Sequence, residues 1–242
     1  MQLLNKLVAF GSTILLAITL VAAGFAAVAV PDWATIALSR AYSGCDQPHT
    51  PFSQEELTAM AIAGKHYTFD INDAAELNQA IADANASAEA DGRASKTGRV
   101  SETRSLPADA LSHLDDVYRV VSMAKPLLAA IAALCIAGLA HVAVRIGRKA
   151  LGRVVLCAGA GVIVVFAVLG AWAAIDFDGL FSVFHSLFFQ AGTWTFAYDS
   201  LLITLYPTAF WMGMALIWLA VTFGLSILAV LIGFTLGHKQ HD

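Results

Sequence analysis

Four stretches of this sequence contain no Asp, Glu, Lys or Arg over lengths that match a lipid bilayer: 7–30, 127–144, 154–175 and 207–237. A helix of about 20 apolar residues crosses the hydrocarbon core, and inside it every backbone N–H and C=O must find a partner within the protein. The chain is therefore expected to be an all-α integral membrane protein with four transmembrane helices. The 58% hydrophobic and 13% charged content agrees, as does the mean hydropathy of +0.70. A soluble domain carries about 45–50% apolar and about 25% charged residues. An ordinary soluble enzyme and a disordered chain are both excluded. A net charge of −4 offers no basic surface for nucleic acid, and three cysteines build no disulfide framework.

The first run resembles a secretory signal, with Ala27-Val28-Ala29 like a cleavage site. Signal h-regions span only about 7–15 residues, whereas this run has 24, so it reads as a retained helix. Arg145, Arg148, Lys149 and Arg153 crowd the link 145–153 between the second and third runs. Basic residues mark cytoplasmic loops. That places the link, the N-terminus with Lys6 and the tail 238–242 with Lys239 inside, and the segments 31–126 and 176–206 outside. Four crossings satisfy all three cytoplasmic assignments.

The segment 31–126 reads as a mainly helical extracytoplasmic domain. Ser53-Gln54-Glu55-Glu56 is a capping box that opens a helix to about Lys65. Asp70–Asp73 caps an Ala-rich helix over about 74–86. Residues 87–105, small, polar and charged with Gly92 and Gly98, read as a flexible loop. Pro107 starts a helix of about 107–124. On its wheel Leu106, Ala110, Leu114, Val117 and Val121 share one face, which suits a helix lying along a membrane surface. His113 falls beside that face, with Asp109 four residues before it and Asp116 three after, spacings at which side chains meet. The plainer explanation is a surface helix with stabilising acids.

The link 176–206 is too apolar for a water-exposed loop. It carries Phe177, Phe181, Phe184, Phe188, Phe189, Trp194 and Phe196. It is expected to be an interfacial loop that dips between helix ends, since non-helical backbone at that depth is tolerated only against protein or a wet cavity. An aromatic belt accounts for the rings but not for His185, Asp199 and Ser200 among them. Ionisable groups near membrane depth are functional candidates. His49, His66, His141, His238 and His241 read as structural or solvated. No GxGxxG, P-loop, HExxH or GxSxG pattern occurs, and no metal or cofactor is expected.

Taken together, His185-Ser-Leu-Phe-Phe, Gly192-Thr-Trp194-Thr-Phe196, Asp199-Ser-Leu-Leu, Tyr206-Pro207 and Phe210-Trp211 resemble the signature of the bacterial lipoprotein intramolecular transacylases. His113-Leu-Asp-Asp116-Val117 is similar to that family's second motif, and the order of spans and outer segments matches as well. The resemblance implies a plasma-membrane enzyme acting at the outer face on diacylglyceryl-modified lipoproteins. It would move the sn-2 acyl chain to the α-amine of the N-terminal cysteine, with His113 and His185 as catalytic residues.

The chemistry suits these residues. An α-amine with a pKa of about 7.7–8 needs a base of similar range, and histidine is one. Nucleophile and ester belong to one molecule, so orientation supplies on the order of 7–11 kcal/mol at best. No acyl-enzyme is needed. His113 is read as the base, oriented by Asp116 or Asp109, and His185 as the group that binds or protonates the alkoxide, with the two roles exchangeable. Tyr118, Trp194, Asp199 and Ser200 are candidates for positioning. Membrane lipids are the remaining partners, and nucleic acid is not expected. Two alternatives stay open: an outer-leaflet phospholipid acyl hydrolase or transferase, and a non-catalytic sensor or assembly protein whose outer domain binds a ligand. The last predicts histidines far apart.

Overall fold

The computed structural model describes residues 2–70, 72–94 and 103–238. Residues 95–102 of the expected loop, and Lys239 and His241 of the tail, lie outside them. Among the described residues all regular structure is helical: α1 (Gln2–Ala29), α2 (Trp33–Tyr42), α3 (Gln54–Phe69), α4 (Ala74–Ala90), α5 (Ala108–His141), α6 (Arg148–Ile175), α7 (Phe177–Phe188), α8 (Leu201–Leu205) and α9 (Thr208–His238). A π-helical turn, Val142–Ile146, follows α5. Four of these helices are long and apolar enough to cross a membrane: α1, α5 with its π turn, α6 and α9.

The helices depart from the sequence expectation at two places. The amphipathic segment and the second apolar run form one helix, α5, with Pro126 inside it. Proline lacks the N–H that would reach the Ser122 carbonyl, but the apolar stretch that follows is helical by its own pattern and continues past it. In the segment 176–206, an irregular interfacial loop was expected. Residues 177–188 are instead helical, and a second short helix is capped by Ser200, whose hydroxyl accepts from the Ile203 N–H at 3.4 Å.

The contacts divide into two units. One holds residues 1–28, 124–177 and 216–242, and is built from small residues that let backbones approach. A Cβ placed on Gly233 would lie 2.5 Å from the Leu156 backbone nitrogen and 2.7 Å from the Gly152 carbonyl. Neither atom can swing away, so Gly233→Ala should destabilise the unit by about 1–3 kcal/mol, the usual cost of overpacking. Thermal unfolding in detergent reads this directly, and an unchanged midpoint would contradict the contact.

The second unit holds residues 29–123 and 178–215. Its core joins Phe52, Leu57, Met60, Ala84, Ala88, Leu201 and Leu205, and a neighbouring cluster joins Ala63, Tyr67, Leu77, Ala110, Leu114 and Leu202. Hydrogen bonds tie the first helices to α8. Ser43 Oγ donates to the Leu205 carbonyl at 2.6 Å, the Gly44 N–H to Thr204 at 2.8 Å and the Tyr206 hydroxyl to Ala61 at 2.6 Å. The buried Lys65 ammonium donates to Asp32 at 2.6 Å and to the Val30 carbonyl.

The predicted capping box is present, with Ser53 and Glu56 bonded both ways. Glu56 also takes a bidentate pair from Arg93, both contacts at 2.9 Å. Arg104, eleven residues after Arg93, is buried and bonds Asn85 at 2.6 Å and Glu89 at 2.7 Å. The guanidinium of Arg93 holds the Glu56 carboxyl down at about 2, against burial. A depressed carboxylate stabilises the fold above its unfolded value, and that contribution is lost as pH falls toward the folded one. At about 1.4 kcal/mol per unit, a fall from 4.5 to about 2 amounts to roughly 3 kcal/mol. Wild-type stability should decline between about pH 4.5 and 2 by that amount more than Glu56→Gln does. Parallel pH curves for the two proteins would refute the assignment.

Candidate active site

All residues of the candidate site belong to the second unit. Helix α7 reverses the usual pattern of a soluble helix. Its apolar residues point outward, with Val183 45%, Phe184 50%, Leu187 72% and Phe188 50% exposed, while His185 is its buried residue at 9%. Such a face fits lipid better than water. On α5, His113 is likewise 9% exposed and lies beside the buried Ala110 and Leu114, as the helical wheel requires. His113 occupies the charged part of α5, ahead of the apolar run.

The two imidazoles meet. Their centroids are 6.2 Å apart and their planes 27° from parallel. Aromatic rings wall them in: Phe189 at 4.9 Å and Phe196 at 5.5 Å from His113, and Phe181 at 3.9 Å, Trp194 at 4.9 Å and Phe184 at 5.5 Å from His185. The chain returns to them through a turn after α7. There the Thr193 N–H reaches the Gln190 carbonyl at 3.2 Å, and Gly192 adopts φ +85°, a conformation glycine accepts without strain.

His185 Nδ1 lies 2.9 Å from the Phe181 carbonyl oxygen. A carbonyl only accepts, so Nδ1 carries the hydrogen and Nε2 is left with its lone pair. Nδ1 of His113 is buried with no hydrogen-bond partner, and so is Nε1 of Trp194. Burial, reinforced by His185 and opposed by Asp116, pushes His113 down to about 4. Burial also lowers His185, against the Phe181 carbonyl. In both rings burial thus favours the neutral form.

The supporting residues named from the sequence have mixed placements. Trp194 packs on His185. Asp116 pairs with Arg119 at 3.0 Å, and the Asp109 carboxylate accepts from the Ala110 N–H at 2.8 Å. Neither hydrogen-bonds His113 Nδ1. Tyr118 and Asp199 are half-buried, and the Ser200 hydroxyl is occupied as the cap of α8.

Sequence reasoning placed Phe181, Phe189 and Phe196 in the interfacial segment but did not assign them to the rings that enclose the histidines. The four-residue spacing of Phe181 and His185 was the one local signal of that enclosure. Sequence reasoning also missed Asp115, inside the histidine motif, which accepts from the Tyr67 hydroxyl at 2.5 Å. Among the described residues no three His, Cys, Asp or Glu side chains are placed to hold a metal.

Comparison with known proteins follows the same residues. The sequence profile of the family described as lipoprotein intramolecular transacylase Lit matches residues 92–211, which include both histidines. The solved structure of the membrane-integral lipoprotein intramolecular transacylase Lit from Bacillus cereus superposes with a TM-score of 0.75, at 17% identity over 99% of this chain and 98% of that one. Two structures of the same protein with a histidine replaced, by arginine and by alanine, give 0.66 and 0.67, each at 17% identity over 98% of this chain and 93% and 94% of theirs. No curated protein sequence matches the chain. The matched stretch, residues 92–211 with the motifs of both histidines, belongs by its sequence to the family of lipoprotein intramolecular transacylases.

Proposed function

We propose that this protein moves the sn-2 acyl chain of a diacylglyceryl-cysteine to the α-amine of the same cysteine, at the outer face of the bacterial plasma membrane, with N- and C-termini inside. One observation carries the reading: two buried histidines, with ring centroids 6.2 Å apart, stand among aromatic rings within the matched region.

The amine nitrogen attacks the ester carbonyl carbon. A C–N bond forms, the carbonyl pair moves onto oxygen, and the nitrogen becomes cationic. His185 Nε2, its lone pair oriented by the Nδ1 bond to Phe181, takes the proton from that nitrogen. The oxyanion then collapses, the C–O bond to glycerol breaks, and the same proton passes from His185 to the glycerol oxygen. His113, open at Nδ1, hydrogen-bonds that leaving oxygen. One proton moves from nitrogen to oxygen, one amide replaces one ester, and no acyl-enzyme forms. This is the exchanged form of the roles first read from the sequence, and the fixed tautomer of His185 favours it. Neutral imidazoles also suit a base that must accept a proton near pH 7. The substrate is membrane-anchored, so a site in an outward-apolar helix would meet it at its own depth.

The test is lipid analysis of lipoproteins from a bacterial host that lacks lipoprotein N-acylation and expresses this chain. N-acylated lyso-lipoprotein is the expected product. Free fatty acid without N-acylation would select the hydrolase reading instead, and unchanged lipoprotein with no released fatty acid the non-catalytic one.

A further inference from the structure

Apart from His113, the pocket beside His185 holds one polar group with no task in the acyl transfer: the indole of Trp194. A buried indole N–H normally finds an acceptor, yet Trp194 Nε1 is buried and has none. The ring is not free to look for one. It packs 4.9 Å from His185, at the end of the turn built on Gly192. Apart from His113, whose ring serves the leaving oxygen, the rings packed on His185 offer no other donor to a ligand. Phe181, Phe184, Phe189 and Phe196 have no N–H or O–H, and the Thr193 hydroxyl donates to the Gln190 carbonyl at 3.0 Å.

We infer that the Trp194 indole N–H is the hydrogen-bond donor that stabilises the tetrahedral oxyanion of the acyl transfer. The inference rests on the transacylase reading above. Attacking nitrogen and carbonyl oxygen share one carbon in the intermediate, so a base at the nitrogen requires the oxyanion donor to lie within a few ångströms of that base. Trp194 meets this condition by packing against His185, their ring centroids 4.9 Å apart. The N–H transfers no proton. It donates more strongly as the carbonyl pair localises on oxygen, and a pocket walled by phenyl rings magnifies that difference. The acceptor missing from the free protein is supplied by the ester oxygen of the substrate.

The experiment replaces Trp194 with β-(3-benzothienyl)alanine, which keeps the bicyclic shape and puts sulfur where the N–H was, and compares it with Trp194→Phe. Both are assayed in reconstituted membranes on a diacylglyceryl-cysteine peptide. The expected result is a fall in kcat of ~10²–10³-fold in both variants, the usual loss for one oxyanion donor, with KM changed less than about threefold. A packing role for Trp194 predicts the opposite split: the benzothienyl protein near wild type, Trp194→Phe impaired. A drop in kcat under about tenfold for the benzothienyl variant overturns the inference while leaving the transacylase reading intact. No N-acylated product from the wild-type protein would overturn that reading and this inference with it.

Discussion

His185→Ala and His113→Ala are each expected to lower the rate of N-acylation by ~10²–10⁴-fold, the range of a lost general acid–base group. The double variant should be little worse than the more damaged single one. The reason is geometric: the rings share one pocket, 6.2 Å between centroids, and act on neighbouring atoms of one intermediate. Groups that work as a unit lose their benefit together. His185→Gln separates the proton-transfer role from volume, because it fills space and hydrogen-bonds but takes up no proton at neutral pH. It should remain as slow as His185→Ala. Rates of N-acylated lyso-lipoprotein formation measure all four variants. Additive losses, with the double variant slower by the product of the two, would mean that the histidines serve separate steps. Full activity in either alanine variant would remove that histidine from the chemistry.

Phe210→Ala is expected to cost about 3–5 kcal/mol, the usual price of deleting a buried phenyl ring. Phe210 is 2% exposed and packs on Tyr206 at 5.2 Å and on Trp211 at 5.4 Å. Trp211 in turn lies 6.2 Å from Phe181, the residue whose carbonyl orients His185. The cavity would therefore open at one end of an aromatic chain whose other end is the proposed base. The thermal midpoint in detergent should fall by roughly 6–20 °C at about 2–4 °C per kcal/mol for a chain of this size. Phe210→Leu, which refills much of the space, should lose distinctly less. A midpoint that does not move would show that the site collapses without cost.

The spans were legible because lipid imposes a single strong rule, and runs such as 154–175 obey it without exception. The capping box at Ser53 and Glu56 was legible because both partners lie within one turn. The histidine pair was legible in part, through residue types out of place in their surroundings and through resemblance to known motifs. What could not be read has physical causes. Helix α2 is short, and its cap residue Asp32 makes no side-chain bond to it, so no start signal marks it. The apparent break at Pro126 is overridden by a helix long enough to lose one bond. Asp116 has a histidine and an arginine at the same spacing, three residues to either side. Spacing cannot choose between them, and the pair with Arg119 won. Tyr67 with Asp115, and Glu56 with Arg93, join residues separated by 48 and 37 positions. Such pairs exist only once the helices have packed.

The two arginine anchors carry a consequence for how this chain can vary. Arg93 is fixed to Glu56, and Arg104 to Asn85 and Glu89, so the endpoints of the stretch between them are set by the helices and not by the stretch itself. Closing a loop between fixed points costs only about 0.6 kcal/mol more for each doubling of its length. Insertions there, whether acquired by evolution or introduced as an epitope or fluorescent tag, meet little thermodynamic resistance so long as both guanidinium contacts survive.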